Sequence, residues 1–312
     1  MRTIIDMDTV QIEITNSCVR SCSNCTRFCG HQKPYFMSFE QFKEAVDSMK
    51  GFPKMTGIMG GEPLLHPEFE KFCKYALSQI PKEQLGLWSG FPKGLERYRE
   101  IICQTFGNIF LNDHSRPDIF HCPILVAAEE VIPDKKEMFL AIDHCWLQES
   151  WSASINPKGA FFCEIAAAMS ILFNGSNGWK VEPGWWKRTV KDYKEQIEEF
   201  CPKCGVALNL KRRASIDGRD DISPKNLERL KGRSLKIDAG KYAVSDLKIV
   251  DYPEPMASYK DEEYRANIAD RYGIFLVYNE KGFQVPYLKK DVNSRINKKP
   301  LFNQYKEKYG DL

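Results

Sequence analysis

Between Gln11 and Leu111 short apolar segments alternate with amphipathic ones, and each apolar segment runs into a polar or glycine-rich loop. Gln11 to Thr15 (QIEIT) alternates as a half-buried strand does and leads into the cysteine-bearing loop 16–33. Met55 to Met59, Leu85 to Trp88 and Asn108 to Leu111 are further strand segments. Between them, Ser38 can cap a helix that carries Phe39, Phe42, Ala45, Val46 and Met49 on one face, and Pro67 to Ile80 and Leu95 to Cys103 also have helical patterns. Repeated strand, loop and helix units imply a parallel α/β sheet or barrel. In such folds ligands sit at the carboxyl ends of the strands. Loop 16–33, Gly60-Gly61-Glu62-Pro63, Ser89 and Asn112-Asp113-His114 all fall there.

After about residue 140 the pattern changes. Trp151 to Phe162 alternates around Asn156-Pro157-Lys158-Gly159, a hairpin signal. A helix from Ile165 to Leu172, a Gly/Trp-rich loop from Asn174 to Trp186 and a charged helix from Val190 to Phe200 follow, ending in Cys201-Pro202-Lys203-Cys204-Gly205. From Asp220 onward the pattern predicts helices over Pro224 to Leu230 and Asp261 to Tyr272 and a strand over Ile274 to Tyr278. No chemical motif stands out there, so that region reads as packing structure.

Composition narrows the function classes. With 312 residues, 43% hydrophobic and 28% charged, a sizeable core is available. A net charge of +3 is too small to argue for nucleic acid, although Lys211, Arg212 and Arg213 are adjacent and the region after Tyr287 is basic; both read as solvated surface. The opening residues show no secretion signal, and the most apolar run, Gly159 to Phe173, falls short of the ~20 residues that span a bilayer. The expectation is a cytoplasmic chain with no membrane partner. There the eleven cysteines would stay reduced and serve metal or redox chemistry.

Cys18, Cys22 and Cys25 stand as C-x3-C-x2-C directly after the first strand. Three thiolates can hold three corners of a four-iron cluster and leave one iron open. A zinc site completed by Cys29 or His31, or unligated thiols, are the alternatives.

These cysteines, followed after the second strand by Gly60-Gly61-Glu62-Pro63, resemble the radical S-adenosylmethionine (SAM) enzymes. The resemblance implies a partial (β/α)6-type TIM barrel and a [4Fe-4S] cluster on the three thiolates, its fourth iron chelated by SAM. Reductive cleavage of SAM then gives a 5′-deoxyadenosyl radical that abstracts hydrogen from the substrate. It also assigns the Gly-Gly-Glu-Pro loop to the methionyl ammonium, in line with glycine's close backbone approach and a carboxylate's charge-assisted acceptance. Ser89 and Asn112 join the SAM contacts, and the reductant would be a flavodoxin or ferredoxin. Asn24 is a departure: the family usually has an aromatic residue there that contacts adenine, so a backbone amide or Phe28 would have to serve.

A second group, Cys145, Cys163, Cys201 and Cys204, makes a closed four-thiolate set suited to Fe-S or zinc. It resembles the auxiliary-cluster domain called Twitch, a shortened form of SPASM. No cysteine follows Cys204, so one auxiliary [4Fe-4S] cluster is expected at most. Cys29, Cys73, Cys103 and Cys122 are left without a role, and Cys73 reads as a small buried hydrophobe.

The reading is therefore α/β: a radical SAM core over residues 1–140, a small α+β auxiliary-cluster domain over 141–215 and a C-terminal extension over 216–312. Asp113, His114 and Arg116 are candidate substrate contacts; His144 and Glu149, beside Cys145, are candidate proton acceptors. Trp179, Trp185 and Trp186 read as packing, with shielding of a reactive centre as the alternative. The expected reaction is hydrogen abstraction from a carbon of a polar small molecule, ending in oxidation or rearrangement. The alternatives are radical modification of a nucleic-acid base and a non-catalytic zinc-binding interaction protein.

Overall fold

A computed structural model describes residues 1–112, 114–115, 119–149, 153–250, 274–279 and 282–284; for residues 111, 149, 274–279 and 282–284 only the backbone is described. The expected helix at Asp261 to Tyr272 and the basic region after Tyr287 lie outside the described residues.

The first half is built from β1 (Thr9–Glu13), α1 (Phe39–Ser48), β2 (Met55–Met59), α2 (Phe69–Gln79), β3 (Leu85–Ser89), α3 (Arg99–Thr105) and β4 (Asn108–Leu111). Helix α1 starts where its sequence says it should. Gln41 N–H donates to Ser38 Oγ at 3.2 Å while Ser38 N–H donates to Gln41 Oε1 at 3.1 Å, closing a capping box. Its apolar stripe buries Phe42, Ala45 and Val46, and the Phe42 ring stacks on Phe72 of α2 with centroids 4.0 Å apart. Strands β1 to β4 pair in parallel in chain order, with Ile12 opposite Ile58, Ile58 opposite Leu87 and Leu87 opposite Ile109. All four are buried, as expected for strands covered on both faces.

The second half contributes β5 (Phe120–His121), α4 (Ala128–Val131), α5 (Lys135–Asp143), β6 (Ser154–Asn156), β7 (Gly159–Phe161), α6 (Glu164–Leu172), α7 (Lys194–Phe200), β8 (Arg213–Ala214), β9 (Asp220–Ile222), α8 (Pro224–Leu230), α9 (Leu235–Asp238) and β10 (Tyr242–Val244). The expected hairpin at Asn156-Pro157-Lys158-Gly159 is present as β6 and β7, and β6 pairs in parallel with β1, Gln11 opposite Ser154. At the other edge β11 (Ile274–Asn279) pairs antiparallel with β4 and carries β12 (Gly282–Gln284). The result is a mostly parallel α/β sheet of partial-barrel type, in the order β12-β11-β4-β3-β2-β1-β6-β7. The cysteine-bearing β6–α6 unit thus lies alongside the strand that carries the first cysteine loop. No described helix is long and apolar enough to cross a membrane.

Trp185 and Trp186 pack against α1, donating to Ser48 Oγ at 3.2 Å and Ser48 O at 3.1 Å. Trp179 stacks near Trp185 and Tyr193. All three belong to packing. Cys73 is fully buried on α2, as its helix position suggests.

Candidate active site

The loop after β1 is pinned to the loop after β2 by backbone bonds. Gly61 N–H donates to Thr15 O at 2.8 Å and Glu62 N–H to Ser17 O at 2.7 Å. A Cβ on Gly60 would lie 2.2 Å from Thr15 O, and one on Gly61 would lie 2.3 Å from Ser17 O and 2.8 Å from Cys29 Sγ. Only glycine permits this approach. Glu62, 2% exposed, accepts from Ser89 Oγ at 2.7 Å, Gly90 N at 2.8 Å and Leu64 N at 3.2 Å. Burial raises its carboxyl above the usual range, partly offset by those donors.

These loops open on a cavity of about 160 Å³ at the carboxyl ends of β1 to β4. One wall carries Cys18, Cys22, Cys25, Gly60, Gly61 and Glu62; Trp88, Gly90, Asn112 and His114 line the neighbouring side. The lining also includes residues close after auxiliary cysteines: Trp146 and Leu147 after Cys145, Glu164 and Ile165 after Cys163, and Val206 two residues after Cys204. Pro63 starts a buried 3-10 turn beside the cavity, and Ser89 acts through Glu62.

Two histidines join the wall. His121 Nδ1–H donates to Ser23 O at 2.6 Å, its Nε2 meets His114 Nδ1 at 2.6 Å, and His114 Nε2 meets the Asn112 side chain. With the Asn112 amide turned one way the chain is neutral; turned the other, it holds one extra proton. Burial keeps His121 below its usual range. Sequence reasoning missed His121 because a two-residue strand, β5 paired with β8, carries it there.

The structure corrects His144: it is exposed at the end of α5, where its Nδ1–H donates to Leu140 O at 2.9 Å, and it lies away from the cavity. Asp113 and Arg116, and the Glu149 side chain, lie outside the described residues.

The first three thiols fit a cluster. All three line the cavity, and three cysteine thiols are the protein ligands that an open four-iron cluster takes. Burial and the neighbouring thiols push Cys22 up to about 12, whereas hydrogen bonding from Cys29 draws Cys25 down to about 5. The auxiliary cysteines also converge. Burial, then mutual repulsion with Cys163, pushes Cys145 up to about 12, and Cys201 and Cys204 are raised by burial and by Cys145 and Cys163. Four neighbouring thiols, of which Cys145, Cys201 and Cys204 resist ionisation, are the kind of donor set a cationic metal centre would convert to thiolates. Cys122, unassigned from sequence, lies close enough to raise Cys145 and Cys204.

Two buried charge networks were not legible in the sequence. Arg27, two residues past Cys25, donates to Gln11 Oε1 and to Glu164 Oε2 at 2.8 Å, and its Nη1 lies 3.5 Å from Glu13 Oε2. Glu164 follows Cys163 directly, so this network joins the two cysteine groups. Second, the region read as packing structure supplies Asp220, Ser234 and Lys236 to the first cysteine loop. His31 Nε2 meets Asp220 Oδ2 at 2.8 Å and His31 Nδ1 meets Ser234 Oγ at 2.8 Å. Lys236 Nζ donates to Asp220 Oδ1 at 2.9 Å and to Cys22 O at 2.7 Å. Asn24, left-handed at φ 49, bonds Asp221 through both amide atoms, so it anchors the loop. Phe28 belongs to the core and lines a separate small cavity.

A cysteine-rich cofactor site at the strand ends of a partial α/β barrel defines a cluster-dependent class of enzyme. Residues 12–110 match the family described as the Radical SAM superfamily, and the chain carries a radical SAM domain. No curated protein matches. Among solved structures the chain is similar to BtrN in complex with AdoMet and 2-DOIA (11% identity, 63% of this chain and 88% of that chain, TM-score 0.40). It is also similar to selenomethionine BtrN in an open conformation (13% identity, 63% and 86% of the two chains, TM-score 0.38). At that level neither structure bears on this chain's substrate.

Proposed function

We propose that this chain is a radical SAM enzyme that takes hydrogen from a carbon of a polar small molecule and completes an oxidation beside an auxiliary [4Fe-4S] cluster. The observation that carries this is one cavity lined both by Cys18, Cys22 and Cys25 and by residues following Cys145, Cys163 and Cys204. Cys18, Cys22 and Cys25 would hold the first cluster, and the second would sit on Cys145, Cys163, Cys201 and Cys204. When bound, the reduced first cluster and SAM supply a carbon-centred radical able to break a C–H bond.

The chain's own residues do the rest. Glu62, locked by Ser89 and the Gly90 amide, presents a fixed acceptor to an ammonium. Asn112 faces the cavity for a hydroxyl. His114 and His121 form a polar patch on an otherwise apolar wall of Trp88, Ile124, Trp146 and Ile165, and can hold the proton an alcohol releases on oxidation. That wall keeps water from the reacting carbon.

The base-modification reading is less favoured by the geometry. Arg213 is engaged by Asp221 at 2.7 Å and by Asp217 at 3.5 Å, and Arg212 bonds Cys122, so little of the basic triplet is free for phosphate. The decisive experiment is anaerobic reconstitution with iron and sulfide, then 5′-deoxyadenosine formation with SAM and a reductant such as flavodoxin or dithionite. About eight irons and 5′-deoxyadenosine formation support the proposal. Iron that is insensitive to Cys18→Ala, or zinc alone, would overturn it.

A further inference from the structure

Cys29 extends the first group to C-x3-C-x2-C-x3-C; Cys122 lines the same cavity but beside the auxiliary cysteines, whereas Cys29 stands on the loop of the first group itself. It is 2% exposed, lines the same cavity as Cys18, Cys22 and Cys25, and lies close enough to Cys18 and Cys25 to perturb both thiols. The backbone is strained to put it there. Phe28, just before it, sits at φ 50, as Asn24 just before Cys25 sits at φ 49. A bulky residue in the left-handed region is unfavourable and persists only where its surroundings impose it. The Gly-Gly-Glu-Pro loop is also shaped around this thiol, since a side chain on Gly61 would meet Cys29 Sγ at 2.8 Å. Cys73 and Cys103, by contrast, are simply buried on helices.

We infer that Cys29 is a reserve ligand: in the absence of SAM it closes the first cluster as a fourth thiolate, and SAM must displace it to bind. The inference rests on the cluster assignment proposed above. The exchange is a ligand substitution. The bond from iron to Cys29 Sγ breaks, bonds from iron to the amino nitrogen and carboxylate of SAM form, the SAM ammonium gives up the proton that the departing thiolate takes, and no electron moves. Such a device protects an otherwise open iron while the enzyme waits for its cofactor. It also weakens apparent SAM affinity, because the binding-competent state is only a fraction of the population.

The test uses the full chain reconstituted anaerobically as wild type, Cys29→Ala and Cys18→Ala. On mild ferricyanide oxidation wild type should keep its fourth iron, while Cys29→Ala should show the paramagnetic signal of a three-iron cluster unless SAM is bound before the oxidant is added. Cys29→Ala should bind SAM about tenfold more tightly or better, the reverse of what a merely structural thiol would do. Mössbauer spectra of wild type provide a readout that needs no variant: a distinct iron site should appear only when SAM is added. A distinct site already present without SAM, or equal three-iron conversion and unimproved SAM binding in Cys29→Ala, overturns the inference. If Cys18→Ala retains all the iron of wild type, the failure lies with the cluster assignment itself.

Discussion

At the residue scale two carboxylates are tuned by burial to opposite ends. Glu62 is an acceptor whose three donors fix both oxygens before any cofactor arrives. Glu62→Gln keeps the shape and removes the charge. A charge-assisted bond to an ammonium is worth about 1.5–3 kcal/mol, so SAM affinity measured by calorimetry should fall roughly 10- to 100-fold, with cluster iron unchanged. Glu13 serves structure instead. Burial, set against attraction to Arg27 and a 2.6 Å bond from Tyr35, raises its carboxyl to about 7. In the unfolded chain it ionises near the ordinary value of about 4.3. The folded state therefore binds the proton more tightly, and the stability this group contributes is full below that value and is lost as pH rises towards 7. Denaturation midpoints of wild type and Glu13→Gln, compared from pH 5.5 to 8, should show wild type losing stability across the lower part of that range relative to the variant. A difference that does not change with pH would refute the assignment.

At the element scale the strand-end loops work because one loop is cut to receive another. Gly61→Ala would force a methyl to 2.3 Å from Ser17 O, a backbone atom that cannot swing aside. Overpacking of this kind costs about 1–3 kcal/mol. The strain falls on the loop carrying Cys18, so iron analysis should show the first cluster lost or labile while iron on Cys145, Cys163, Cys201 and Cys204 is retained. Equal loss from both would mean general unfolding. This is also the scale at which the sequence was most readable. Ser38 and Gln41 are three residues apart, and the hairpin turn at Asn156 to Gly159 is local, so their chemistry declared both elements. Strands β2 and β4 fall on the residues their apolar runs marked. The three thiols and the glycine loop could be grouped because each follows a strand directly. Cys29 was legible only as a ligand that could complete a zinc site, because its place against Gly61 depends on the left-handed turn at Phe28. His121 and Asp220 reach the site through pairings across about a hundred residues or more, for which spacing along the chain carries no signal.

At the scale of the whole molecule the region after β8 closes the first cysteine loop, and Asp220 is the point through which it does so. Burial would raise this carboxyl, but His31 and the Lys236 ammonium outweigh that and hold it below the usual range. A depressed folded value means that the contribution to stability is present above the unfolded value and is lost as pH falls. The same carboxylate accepts from the Asn24 amide, and Lys236 holds the Cys22 carbonyl, so loop and C-terminal region share one buried charge cluster. Removing one partner of such a cluster leaves the other unpaired and costs about 3–5 kcal/mol. Asp220→Asn should therefore lower the unfolding free energy from urea titration by an amount in that range at neutral pH, and the penalty should shrink as the medium is acidified and wild type loses the same charge. Because the charge cluster anchors the loop on either side of Cys22, the variant should also lose first-cluster iron faster to a chelator than wild type does. Iron at the proposed auxiliary site, whose cysteines follow α5 and α7 and begin α6, should leave at the wild-type rate. A variant with unchanged chelation kinetics at the first cluster would show that the cysteine loop holds its shape without the C-terminal region.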